Sequence, residues 1–217
     1  MLFRSLDISI PMTGRMMHSV DGALKYQPYG KEGQAIYSVS RGQLNVKLLQ
    51  LADQYPNIHM FFDHKCVAAN LDTCETTFVN EKGETLVDKA DVVLGTDGAF
   101  SALRDAMQRT SRFNYSQTYE NYGYKELEIV PDANGAFQLD KNCLHIWPRK
   151  SFMMIALPNP GGNFTCTLFM PFDGNPGIDQ LKTPKEITDF FQLHFPDAMS
   201  LMPGLVDDYL KIGRAHV

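Results

Sequence analysis

The chain has 217 residues, 44% of them apolar, with 20 Lys and Arg against 25 Asp and Glu for a formal net charge of −5. That length and apolar share suffice for a buried core in one large or two small domains, while the acidic balance without any Lys/Arg run argues against nucleic acid or an anionic membrane surface as the main partner. No apolar run approaches the ~20 residues a membrane helix needs, and the four dispersed cysteines, Cys66, Cys74, Cys143 and Cys166, fit reduced thiols in a cytosolic setting rather than a disulfide framework.

In chain order, residues 11–20 and 23–29 flank Asp21-Gly22 and predict a β-hairpin, because Asp-Gly is a strong two-residue turn signal between extended runs. Residues 37–40 form a strand leading into a helix, marked by Ser40 and Gln43 as a capping box. Leu44, Leu48, Leu51, Ala52 and Tyr55 share one face of that helix, and Pro56 closes it. Short strands follow at 58–62, 66–71 and 76–79, then a Lys82-Gly83 turn, strands at 85–87 and 91–94, and a helix over 99–107. Beyond Tyr115 the texture is β, with strand-length runs at 123–130, 144–147, 152–157 and 164–169 set apart by turns such as Asn134-Gly135 and Pro160-Gly161-Gly162. A last amphipathic helix spans 184–195, with Ile187, Phe190, Phe191 and His194 in helical register. The pattern predicts an α/β (α+β) protein: an α/β layer carrying a mostly antiparallel sheet, without internal repeats or a low-complexity linker.

Chemistry could sit at several of these places. Asp97 and Gly98 turn a strand into a helix; the carboxylate can cap the helix, and the same kind of corner is where α/β folds hold nucleotide cofactors. Arg41 occupies a first helical turn, where the helix dipole favours anions, so it either swings into solvent or joins that helix end in binding a phosphate-bearing cofactor. Arg15 lies among methionines on a strand expected to be half-buried and calls for a carboxylate, with an internal salt bridge the expected partner and a ligand the other. Tyr29 either packs at the hairpin end or reaches the same carboxylate. Met153, Ile155 and Leu157 share one strand face, and Phe169 closes a later apolar strand; such a set is either core or the wall of a pocket for an aromatic ring. The histidines lack ligand spacing, so no metal is assigned, and no Gly-x-Ser-x-Gly nucleophile motif occurs.

Several blocks together are more specific than any one of them: Pro11-Met-Thr-Gly-Arg-Met-Met-His-Ser19, Tyr37-Ser-Val-Ser-Arg41, Gly95-Thr-Asp-Gly-Ala-Phe-Ser101, Phe113-Asn-Tyr-Ser-Gln117, Leu144-His-Ile-Trp-Pro-Arg149, Phe152-Met-Met-Ile-Ala-Leu-Pro-Asn159 and Phe164-Thr-Cys-Thr-Leu-Phe-Met-Pro-Phe172. From about residue 10 to 196 the sequence resembles the kynurenine 3-monooxygenase family of FAD-dependent aromatic hydroxylases. The resemblance implies a partial FAD-binding flavoprotein-hydroxylase fold with an antiparallel substrate-binding lobe, and FAD, NADPH, O₂ and L-kynurenine as cofactors and partners. It implies that Arg15 and Tyr29 hold the kynurenine carboxylate and that Leu144, Met153, Ile155, Leu157 and Phe169 wall the substrate ring. It further implies that Arg41, Cys66 and Ala102 line the FAD site, with Asp97 and Gly98 as the Asp-Gly motif near the flavin. No catalytic side chain is expected, since the cofactor carries the chemistry. The location implied is the cytoplasm in a bacterium and the mitochondrial outer membrane in a eukaryote.

Two hallmarks of the family are missing, the Gly-x-Gly-x-x-Gly turn and a downstream Gly-Asp block. The expectation is therefore an internal fragment, inactive alone, with Met1 an internal methionine. Residues 1–36 are expected to form a substrate-lobe hairpin region, 37–112 part of the FAD-binding domain and 113–211 the substrate-binding lobe. Residues 212–217, which read as one frame of a sequencing adapter, are expected to be a non-native tail. Two other readings stay open: a related flavin hydroxylase acting on another aromatic acid, or a non-catalytic module that binds an aromatic ligand.

Overall fold

The structure, a computed structural model, describes residues 7–211; the expected non-native tail at 212–217 and Met1 lie outside the described residues. The chain forms two compact units, one made of residues up to 51 together with 120 onward, the other of residues 52–119.

In the first unit, β1 (Ser9–Met12) pairs antiparallel with β4 (Ile36–Val39), Pro11 opposite Tyr37. β2 (Gly14–His18) and β3 (Leu24–Pro28) form the hairpin around Gly22, whose φ of 84° suits the turn. The hairpin is shorter than expected, because the chain changes partner at Thr13, whose N–H donates to the Asn142 carbonyl at 2.8 Å. A six-stranded sheet then runs in the order β3-β2-β9-β10-β11-β8, with β8 at Tyr122–Ile129, β9 at Cys143–Arg149, β10 at Phe152–Pro158 and β11 at Phe164–Pro171. All its pairings are antiparallel except β2 with β9. Gly14 belongs there because a Cβ would meet the Gln27 carbonyl at 2.5 Å and the Tyr26 ring at 2.6 Å.

Alternation gives this sheet two unlike faces. Phe152, Met154 and Ala156 of β10 and Phe164, Cys166, Leu168 and Met170 of β11 are buried, under α3 (Pro184–His194), α4 (Pro196–Met199) and α5 (Leu205–Lys211). Trp147, Ile187, Phe191, Phe195 and Tyr209 complete the core, each apolar side chain contributing about 1.5–3 kcal/mol by burial. α3 starts on a full capping box, Thr183 accepting from the Glu186 N–H and Glu186 accepting in return.

A polar row crosses this core. Asp197 Oδ2 accepts from the Trp147 indole N–H at 2.8 Å and lies 2.8 Å from His18 Nδ1. His18 Nε2 is 2.9 Å from His145 Nδ1, and His145 Nε2 is 2.9 Å from the Asp140 carbonyl. Arg149 donates to the backbone carbonyls of His18, Pro148 and His194.

The helix after β4, α1 (Arg41–Ala52), starts where expected and ends before the expected Tyr55. Only half of its capping box forms, the Gln43 N–H reaching Ser40 Oγ at 3.5 Å, and its apolar stripe is only partly covered, Leu44, Leu51 and Ala52 being half-buried and Leu48 51% exposed. No residue of α1 is buried.

In the second unit, β5 (His64–Asn70), β6 (Glu75–Asn80) and β7 (Thr85–Lys89) form an antiparallel sheet with a bulge at Cys66, followed by α2 (Ala102–Gln108). The expected strands at 58–62 and 91–94 are not formed. Both runs carry strand-type residues, but neither has a partner strand among the described residues, and Val92 and Leu94 are 72% and 83% exposed. A strand exists only as part of a hydrogen-bonded ladder, so composition alone cannot hold one. α2 starts three residues later than expected, because Ser101 takes the N-cap position and accepts from the Arg104 N–H.

Candidate functional site

The face of the six-stranded sheet opposite the helices carries the expected substrate residues. Register places them side by side: Arg15 next to Leu144, Ile146 opposite Ile155, Ile155 opposite Thr167, and Met153 opposite Phe169. Leu144, Ile155, Leu157 and Phe169 are half-buried and Met153 is 42% exposed. These positions alternate with the core positions of the same strands.

At one end of that face the Arg15 guanidinium sits over the Tyr29 ring, 5.0 Å from its centroid. Arg15 is exposed, so the half-buried setting expected for it is not found. Nor is the internal salt bridge: the ion pairs among the described residues are His18–Asp197, Lys185–Asp189 and Lys211–Asp207. The strand alternation that sends Met16 and His18 inward sends Arg15 outward, away from any carboxylate of the core.

At the other end is a cavity of about 600 Å³ lined by Arg41, Tyr124, Glu126, Leu157, Thr167 and Phe169 among others. It unites one expected cofactor residue, Arg41, with two expected substrate residues, Leu157 and Phe169. Arg41 is exposed on the first turn of α1 and makes no ion pair among the described residues. Glu126 and Thr167, which face each other across β8 and β11, escaped the sequence reading. Their signal was the polar residue at every second position of Tyr122–Ile129, opposite buried Leu127 and Ile129.

The remaining expected cofactor residues lie in the second unit. Asp97 accepts from Ser101 Oγ at 2.6 Å and from the Ala102 N–H at 2.8 Å, and the Ser101 hydroxyl is the main reason its pKa lies below the ordinary carboxylate value. It thus caps α2 from outside the N-cap position. Gly98 has φ 78° with nothing within 4 Å of where a Cβ would stand, and the Arg104 guanidinium holds the turn by donating to the Gly98 and Ala99 carbonyls. Cys66 is half-buried at the bulge, its thiol pKa raised by burial and then by the charge of Asp97. Ala102 lines a separate cavity of about 420 Å³ formed with residues 67–72 of the β5 region.

No family model matches the chain. It is 47% identical over 206 residues to kynurenine 3-monooxygenase of Flavobacterium johnsoniae, covering 94% of this chain and 46% of that protein. It is 46% identical over 207 residues to kynurenine 3-monooxygenase of Dictyostelium discoideum, covering 95% and 44%, and 42% identical over 205 residues to that of Sus scrofa, covering 94% and 43%. The chain thus spans about half the length of the curated relatives it matches. Among solved structures, PqsL, a probable FAD-dependent monooxygenase from Pseudomonas aeruginosa, superimposes with a TM-score of 0.65 at 12% identity over 100% of this chain and 58% of its own. A 2-methyl-3-hydroxypyridine-5-carboxylic acid oxygenase does so with a TM-score of 0.65 at 16% identity, over 97% and 52%. The fold is therefore that of FAD-dependent monooxygenases, in part.

Proposed function

We propose that the chain is the central part of a kynurenine 3-monooxygenase, which uses NADPH and O₂ to convert L-kynurenine to 3-hydroxykynurenine, water and NADP⁺. The observation that carries the reading is the open sheet face: an aromatic ring needs an apolar wall, an amino acid needs a cation for its carboxylate, and this face offers both in one surface. Arg15, lacking a carboxylate partner among the described residues, binds the substrate carboxylate, and Tyr29 beneath it fixes the guanidinium and adds a hydroxyl donor. Leu144, Met153, Ile155, Leu157 and Phe169 take the ring and exclude water from it.

The residues present also suit FAD. In the first unit Arg41 is a cation at a helix start beside the cavity, without an ion pair among the described residues; in the second, Gly98 is an uncrowded turn with its backbone accessible, in the same unit as Asp97, Cys66 and Ala102. FAD, when bound, carries electrons from NADPH to O₂ and supplies the oxygen transfer; the protein's own residues bind, orient and shield the substrate. The functional divisions at residues 36 and 112 are part of the same proposal. Among the described residues no helix is long and apolar enough to cross a membrane.

The test is Arg15→Ala in the full-length FAD-bound enzyme. Loss of a charge-assisted hydrogen bond, about 1.5–3 kcal/mol, corresponds to a rise in KM for kynurenine of about 10- to 150-fold. An unchanged KM removes Arg15 from the site. Stimulation of coupled NADPH oxidation by another aromatic acid in place of kynurenine selects the related hydroxylase instead.

A further inference from the structure

The polar row beneath the sheet contains three close contacts, Asp197 Oδ2 to His18 Nδ1, His18 Nε2 to His145 Nδ1, and His145 Nε2 to the Asp140 carbonyl, at 2.8, 2.9 and 2.9 Å. Each needs one hydrogen between its two heavy atoms. The Asp140 carbonyl can only accept, so His145 Nε2 carries a proton. A neutral His145 then has a bare Nδ1, so His18 Nε2 carries one too. A neutral His18 would then have a bare Nδ1 facing a carboxylate oxygen, two acceptors 2.8 Å apart. Two neutral rings and an ionised Asp197 are one proton short.

We infer that His18 is held as an imidazolium by Asp197, and that this ion pair, His18 buried and Asp197 half-buried, is a positioning device that locks β2 onto β9 and so sets Arg15 beside Leu144. Met16 and Met17 pair with His145 and Ile146, and Arg15 stands three residues from the lock on the same five-residue strand. Trp147 stacks on the His18 ring at 4.0 Å and donates to the same Asp197 oxygen, so the carboxylate fixes β2, β9 and α4 together.

The charged groups around the pair come from every packed element. Arg149 of β9 works against the extra proton, Asp197 of α4 works for it, and burial works against it. Asp140 adds a negative charge near His145, and His194 at the end of α3 feels Arg149. Burial outweighs Asp197 and lowers the His18 pKa; the hydrogen count opposes that, because only the charged form of His18 has a hydrogen for each of its two contacts. Burial pushes His145 down to about 4, so the charge rests on His18. The lock is therefore lost as the pH rises through the folded pKa of His18.

The decisive experiment is ¹⁵N-detected histidine NMR on the unmodified chain at about pH 7. The expected spectrum has both His18 nitrogens protonated and His145 neutral with its proton on Nε2; a neutral His18, or His145 protonated on Nδ1, overturns the inference. Asp197→Asn should turn His18 neutral and speed amide exchange at Met16 and Met17 about tenfold, as losing one charged hydrogen bond allows, with the β10–β11 amides as internal control. Unchanged β2 exchange in that variant overturns the lock. In the full-length FAD-bound enzyme, Asp197→Asn should raise the KM for kynurenine with little change in kcat. This last arm rests on the substrate reading above. If Arg15→Ala itself raises KM while Asp197→Asn does not, the positioning role is overturned; if neither does, the substrate reading has failed, and the NMR and exchange results decide the lock alone.

Discussion

Arg15 and Arg41 show what single residues disclose before a structure exists. Each was conspicuous as a cation in an unexpected place, and each is without an ion-pair partner among the described residues. That Arg15 forms no internal salt bridge among the described residues was invisible in the sequence, because it depends on which strand face Arg15 occupies, and strand pairing decides that. The cysteines give a residue-scale prediction. Cys143 and Cys166 are buried, and burial pushes the Cys143 thiol up to about 11 and the Cys166 thiol higher still, so a thiol reagent at neutral pH should label Cys66 and Cys74 first, as peptide mass spectrometry would show. Labelling of Cys166 in the folded protein would contradict its burial. His145 gives a pH prediction. With its folded pKa near 4 against about 6.5 unfolded, the unfolded chain takes up a proton there first, so this residue's contribution to stability declines as the pH falls from about 6.5 to 4. Thermal melts across that window should show the decline, and His145→Gln should flatten it.

At the scale of elements, the two sides of the six-stranded sheet allow a direct contrast. Phe191 lies fully buried under the sheet and Met153 lies on the open face. Phe191→Ala should lower the urea midpoint by an amount equivalent to about 3–5 kcal/mol, whereas Met153→Ala should cost well under 1 kcal/mol and act instead on ligand affinity. If the two costs are equal, Met153 is core. Thr183→Ala removes one half of the α3 capping box and should cost about 1 kcal/mol in the same assay. Helix α3 and strands β8 to β11 were legible in the sequence because they carry their own evidence: a capping box, clean alternation, and turns at Gly135 and Gly162, both at positive φ. The runs at 58–62 and 91–94 carried only apolar composition, and a strand's existence depends on a neighbour that no local pattern reveals. α1 formed at its expected start, but amphipathicity announces only that a face wants covering.

Across the whole molecule the two units are unequally built. Every buried apolar residue lies in the first unit, and the buried residues of 52–119 are Thr76 and Ser101. Hydrogen exchange should therefore be slowest in β8–β11 and fast throughout 52–119, and limited proteolysis should cut first in that segment. Equal protection in both units would show that the second is held by more than its own packing. The division was not legible, since contact partners rather than composition separate residue 51 from 52. The parallel pairing of β2 with β9 has a kinetic consequence. β8, β10 and β11 join neighbours close in sequence, but β2 must find β9 across more than a hundred residues of intervening chain. Closing so long a loop is entropically costly and slow. β2 is thus the strand that docks late in folding, and it is the one that carries Arg15: under the proposed function, the cation for the substrate is in place only in molecules whose sheet is already complete, and a partly folded chain presents an apolar wall with no carboxylate anchor.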